Sequence, residues 1–388
     1  MRRLLGALED YESVIPPDDY VDDSTDGSLY ALMEASKEFD ESIASMKVMD
    51  DILDEIDYSI ERLEGVHASI KKYGICRPVM EAVDPKMELV IAGLCCAYEE
   101  LSNTPQHDDN ATTFLKNLDI TFEALNDKVT STLKTVAGKL RDAGQAFVDF
   151  TEIYSVSTNN KLKILSSGTG FNEKKFAAKE IRAYKKDDYN KVFAATEHLI
   201  RAIRSGILET VETELIADIK EGRFNEDRVK ALIKKASDFV KPMIGDKDVE
   251  ILGMSVAIDE VGKITSVSSK KPSIETVQGT AGELGWRPED AKKALMGTIS
   301  LLTQTKSMKD RINKLAGAYG IYDVHAATIF RKNQGNPDNQ KLSGLAVNAT
   351  NNILKVSKMM ISICLKTTRS LCSTAGVIGS CACSFRTK

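Results

Sequence analysis

Two stretches of this chain carry an apolar side chain every three or four positions for more than forty residues each, and a pattern of that length leaves few folds open. From Ser28 to about Lys72 the series runs Leu29, Leu32, Ser36, Phe39, Ile43, Met46, Met49, Leu53, Ile56, Ile60, Leu63, Val66 and Ile70. Steps alternating between three and four are the seam of a coiled coil, and the consecutive threes from Ile43 to Met49 overwind it locally. A helix of this length is a rod about 65 Å long, whose apolar stripe needs a partner. The second stretch, from about Thr112, supplies one through Leu118, Phe122, Leu125, Val129, Leu133, Val136, Leu140, Ala143, Phe147, Phe150 and Tyr154. Two seams of nearly equal length predict an antiparallel hairpin over 28–155. Its tip falls at 73–110, where Gly74, Pro78, Pro85 and Pro105 mark bends and a short helix over 86–101 carries Cys95 and Cys96.

The rest of the chain reads as helical with one interruption. Residues 1–27 contain Pro16-Pro17 and the carboxylates Asp18, Asp19, Asp22, Asp23 and Asp26 without periodicity, which predicts a disordered acidic leader; the alternation and glycine of a calcium loop are missing. Residues 155–170 read as a polar hinge opening a basic helical region, 156–246, with helices over 172–186, 188–221 and 225–240. Within the unit 247–285, the β-branched runs 249–258 and 263–268 flank Asp259-Glu-Val-Gly262 and predict a β-hairpin, which must lie against a helix or another copy because a two-stranded ribbon is marginal alone. A C-terminal basic helical region, 286–388, opens at Trp286-Arg-Pro-Glu-Asp290. A break near 317–320 and a polar loop at 333–339 lead to a last helix over 341–373 and a tail of small residues, 373–385. The fold class expected is mainly α: a long antiparallel helical hairpin or coiled coil plus a C-terminal helical region containing one β-hairpin.

Charge is divided unevenly along the chain. The net charge of −5 conceals 14 Lys+Arg against 31 Asp+Glu in residues 1–150, and 38 against 26 in the remainder; no acidic side chain follows Asp338. This asymmetry points to an acidic or polyanionic partner for the C-terminal half: nucleic acid, an anionic membrane or the protein's own acidic half. The densest cluster is Lys174, Lys175, Lys179, Arg182, Lys185 and Lys186, whose spacing on a helix over 172–186 would gather cations on one face beside Phe176 and Tyr184. Lys355, Lys358, Lys366 and Arg369 form a second set of candidate polyanion contacts on the last helix.

Catalytic and metal motifs are absent from the sequence. It has no His-Glu-x-x-His, Gly-x-Ser-x-Gly, Walker or Gly-x-Gly-x-x-Gly pattern, and Gly168-Thr169-Gly170 lacks the Gly-Lys-Ser/Thr ending of a phosphate loop. Asp51, Asp54, Glu55 and Asp57 lie beside the heptad seam, where charges face water or pair with a neighbouring helix, and His325 near Asp323 reads as structural. Seven cysteines, an odd number, read as reduced thiols; Cys372, Cys381 and Cys383 lack a nearby histidine to complete a zinc site among His67, His107, His198 and His325. No cofactor, metal or small-molecule substrate is expected, and no enzymatic activity. At 42% apolar and 28% charged the chain is too apolar for disorder throughout, and its longest charge-free run in the apolar tail, 370–385, is too short and polar for a conventional transmembrane helix. The start carries no secretory signal, so a cytosolic, non-secreted product is expected.

One resemblance adds to this reading. The opening Arg-Arg-Leu-Leu-Gly-Ala-Leu-Glu-Asp with its acidic leader, the coil ending Ser59-Ile-Glu-Arg-Leu-Glu-Gly-Val-His-Ala-Ser-Ile-Lys-Lys-Tyr-Gly74, and Arg77-Pro-Val-Met-Glu-Ala-Val-Asp-Pro-Lys86 resemble internal head proteins of large tailed bacteriophages, over roughly the first 110 residues. The resemblance implies a non-enzymatic virion protein of the capsid interior. It would associate with itself or with other virion proteins and meet DNA without reading its sequence. It also implies trimming of a leader after a short small-or-aliphatic–x–Glu sequence, which Ala7-Leu-Glu9, Leu32-Met-Glu34, Ser59-Ile-Glu61 and Ala97-Tyr-Glu99 match. The competing expectation is a membrane-active helical protein, a pore-former or ejected channel component, for which the paired helices, the apolar hairpin and the carboxylate-free tail are suited.

Overall fold

The computed structural model describes residues 109–167, 170–221, 225–243, 250–259, 264–269, 272–306, 308–318 and 337–387, with positions 34, 37–38, 40–46, 48–49, 52, 70–72 and 74 of the N-terminal stretch. The acidic leader, most of the first rod, the hairpin tip at 75–108 with Cys76, Cys95 and Cys96, and the loop at 319–336 lie outside the described residues. The protein is mainly helical, with small antiparallel strand pairs.

The second apolar seam forms α1 (Asp109–Ser167), 59 residues long. It does not stop at Tyr154: the hinge expected over 155–170 is helical through Ser167, and the boundary drawn at 155 falls inside a helix. Polar residues there keep the helical register because one face still finds a neighbour. Thr158 is buried, and Lys161 Nζ donates to the Gly376 carbonyl at 3.3 Å. Leu133, Val136, Leu140, Ala143, Phe147 and Tyr154 are buried as the seam demands. The described positions of the first stretch are helical except Gly74, and Ile43 and Met46 join the same apolar cluster as the α1 seam. That seam also faces partners later in the chain. Gly144 sits so close to residues 308–318 that a Cβ on it would lie 3.0 Å from an Ile312 methyl, and the Tyr154 hydroxyl shares a 3.2 Å hydrogen bond with Thr298.

Next come β1 (Gly170–Phe171), α2 (Glu173–Ala177), β2 (Glu180–Ala183), α3 (Lys186–Ser205), α4 (Ile207–Glu221) and α5 (Glu226–Val240). Two expectations need correcting. The helix read over 172–186 is one short turn, α2, followed by a strand, and the helix read over 188–221 is two. The second break occurs at Gly206, which ends α3 with φ 69°, a left-handed conformation that glycine adopts without steric cost. A Cβ at Gly206 would also lie 3.2 Å from an Arg311 guanidinium nitrogen. Gly206→Ala should therefore lower stability by about 1–2 kcal/mol in urea denaturation, from left-handed strain and displacement of Arg311. Helix α5 begins where expected because the Asn225 side chain accepts from the amides of Asp227 and Arg228, at 3.0 and 3.2 Å.

The hairpin is present as β3 (Met254–Ile258) and β4 (Ile264–Ser269), with an irregularity in register between Ala257 and Ile258. It lies against a helix: Asn352 Nδ2 donates to the Ile264 carbonyl at 2.8 Å. Two further pairings were not foreseen. β5 (Val277–Thr280) pairs with β2, matching Ile181 with Gly279, and β6 (Arg386–Thr387) pairs with β1.

Helix α6 (Pro288–Lys306) starts with proline at its first position and Glu289 and Asp290 in its first turn, and α7 spans 308–318, past Gly317. The last helix, α8 (Pro337–Ser384), corrects the C-terminal reading most. It begins inside the expected 333–339 loop and runs through the expected tail. Ala375, Ile378, Cys381 and Ala382 are buried, and Gly379 approaches α6 so closely that a Cβ would meet Leu295 at 2.8 Å. Helix α8 packs against α1, α3, α4, α5, α6, β2, β3 and β4, and is the axis around which the core is built. Two of its buried hydroxyls are satisfied within the helix, Thr350 and Thr367 donating to the carbonyls four residues back at 2.8 and 2.9 Å.

Candidate functional site

The cationic cluster at 174–186 is set on a small lobe rather than on one helix face. Asn172 caps α2 by accepting from the Lys175 amide at 3.2 Å, leaving Lys174 and Lys175 exposed. In β2 the alternation of exposed and buried side chains points Arg182 outward while Ile181 and Ala183 enter the core. The β2–β5 pair is pinned by Trp286, whose Nε1 donates to the Tyr184 carbonyl at 2.8 Å and whose ring meets Tyr189 edge-on, centroids 5.3 Å apart. Lys185 is exposed, Lys179 is half-buried, and Lys186 binds Asp290 Oδ2 at 2.8 Å. Lys174, Lys175, Arg182 and Lys185 thus remain at the surface, held by three different elements. The aromatics expected to interleave with them, Phe176 and Tyr184, are both buried.

The second set, on α8, is internal. Lys358 is buried, Lys355, Lys366 and Arg369 are half-buried, and all four are engaged within the protein. Arg369 Nη2 bonds Asp40 Oδ2 at 2.7 Å, tying the acidic N-terminal stretch to the central helix. These residues do not form an open cationic face.

Among the described cysteines, Cys364, Cys372 and Cys381 are buried and free and Cys383 is half-buried; burial pushes the Cys381 thiol up to about 11 and the Cys364 thiol to about 12. Thiols so held remain protonated and are poor nucleophiles and ligands. No cluster of metal-ligating side chains occurs among the described residues, and no helix among them is long and apolar enough to cross a membrane.

A feature that sequence reading missed lies where α3, α4, α5, α7 and α8 converge. The break at Gly206 turns α4 away from α3 and leaves a cavity of about 500 Å³ with apolar walls that include Ile203, Ile216, Phe239, Leu315 and Met360. At its edge Glu209 bridges two cations: Arg311 binds one carboxylate oxygen, and Lys314 Nζ the other at 2.8 Å. Arg311 also donates to the Arg204 carbonyl at 2.9 Å, closing the corner between α3 and α4. Inside, Glu212 is 5% exposed, and no described residue donates a hydrogen bond to it. Burial, with the Glu209 charge one turn away, pushes its carboxyl up to about 8. In sequence Glu212 is one of several acids in Leu208-Glu-Thr-Val-Glu-Thr-Glu214, and only its phase relative to Leu208, Val211 and Leu215 hints that it turns inward.

No family model, curated protein or solved structure matches the chain.

Proposed function

We propose that the protein is a non-enzymatic structural component of a virion, an internal head protein of a tailed bacteriophage, that assembles through its long helices and touches DNA through surface cations of its C-terminal half. The observation that carries this reading is the docking of the acidic half on the basic half, with Asp40 bonded to Arg369 and Ile43 and Met46 buried in the shared core. In this arrangement the α8 cations serve the protein's own fold, and contact with phosphate falls to Lys174, Lys175, Arg182 and Lys185. Such contacts carry no sequence information and depend on salt through counterion release.

The test is a salt titration of duplex DNA binding by the full chain. Binding should weaken steeply with salt, and replacing Lys174, Lys175, Arg182 and Lys185 together by alanine should reduce the slope of log K against log salt by about 0.9 for each phosphate that is no longer neutralised. The same variant should unfold within about 0.5 kcal/mol of the parent, since these side chains are exposed. No binding at about 50 mM salt, or binding indifferent to salt, overturns the DNA contact.

A further inference from the structure

We propose that the cavity between α3, α4, α5, α7 and α8 binds a small apolar molecule with a primary ammonium head, which pairs with the Glu212 carboxylate. The space is of ligand size, about 500 Å³ with mostly apolar walls, and such pockets take their specificity from a few placed polar groups. Here the polar group is Glu212, buried with no described hydrogen-bond donor. A carboxyl in that setting costs stability unless something pairs with it. The cations at the mouth, Arg311 and Lys314, are paired with Glu209 instead.

Gly317 supplies a second, independent indication. It lies within helix α7, where glycine costs about 1 kcal/mol relative to alanine. Its backbone is not left-handed, and a Cβ there would meet no atom of the described residues within 4 Å. Neither strain nor packing excludes a side chain at this position, yet it is bare and lines the cavity. An ammonium head at Glu212 would take the place of the missing donor, and the acid, neutral in the empty site, would lose its proton to solvent as the salt bridge forms.

The experiment is isothermal titration of the full chain with octylamine, octanol and octanoate in two buffers of different ionisation enthalpy at about pH 7. Octylamine should bind saturably, at one equivalent and at least tenfold more tightly than octanol, with a buffer-dependent heat that reports proton release. Glu212→Gln should weaken octylamine about tenfold or more while leaving octanol unchanged. Gly317→Phe, which fills the space and leaves Glu212 in place, should abolish both. The proposal is overturned by octanol or octanoate binding as well as the amine, by retained amine affinity in Glu212→Gln, or by no saturable binding in the parent.

Discussion

Deleting residues 374–387 should leave a protein with no cooperative thermal unfolding transition, recovered as aggregate or as a loosely collapsed chain in size-exclusion chromatography. The segment is short, uncharged except for Arg386, and rich in Ser, Ala, Gly and Cys, so it looks dispensable. In the structure it is the final stretch of α8 with β6, and Ala375, Ile378, Cys381 and Ala382 are all buried. Removing it exposes the surfaces they cover, including Leu295 opposite Gly379 and the β1 edge paired with β6. Several buried side chains at about 1.5–3 kcal/mol each, with the surface newly exposed on their neighbours, amount to roughly 10 kcal/mol, comparable with the whole stability of a domain. Ile378→Asp places one charge in the same layer and should cost at least about 4 kcal/mol by urea denaturation. A truncated chain that melts as the parent does would show that the end of α8 contributes nothing to the core.

The second large effect concerns pH. Glu212 has a folded-state value of about 8, well above that of an exposed glutamate, so its contribution is complete in acid, where it is protonated in both states. Between about pH 4.5 and pH 8 the unfolded chain ionises and the folded one does not, so stability declines across that window and levels off above it. At about 1.4 kcal/mol per pH unit the loss is on the order of 5 kcal/mol. The groups that also border the cavity are Glu209 on the same helix and Arg311 and Lys314 on α7; the lining residues of α3, α5 and α8 do not titrate. Glu209 is held by Arg311 and Lys314, and the buried carboxyl of Glu212 sets the slope. Glu212→Gln should flatten urea stability between pH 5 and 8 and exceed the parent at pH 8 by roughly 3 kcal/mol. Parallel pH profiles for parent and variant would refute the assignment.

Much of the architecture was legible because it is local. The seam ending at Tyr154, the β-branched runs of the hairpin and the proline start of α6 are patterns within one segment, and the structure contains all three. The failures arose where distant partners decide. Residues 180–183 fall in a stretch with cations at helical spacing and form a strand because their partner, 277–280, lies almost a hundred residues away. The polar stretch 155–167 stays helical because Gly376 and its neighbours lie alongside Lys161. The end of α8 lacks the large side chains that mark a core helix. Small residues at a close helix crossing bury as completely as large ones, but their burial depends on the facing surface, which no periodicity records. The site suffered similarly. Lys355, Lys358, Lys366 and Arg369 are cationic in sequence and internal in space, while Glu212 gained its environment from helices met later in the chain.

The position of α8 along the chain has a consequence for biogenesis. The axis that α1, α3, α4 and α6 require emerges from the ribosome after all of them, so the faces they turn to it stay uncovered until it is made. Vectorial, piecewise folding is closed to such a topology. The nascent protein must be held from aggregating, by a chaperone or by the mutual repulsion of its highly acidic residues 1–150, until α8 has been made and can take its place among them.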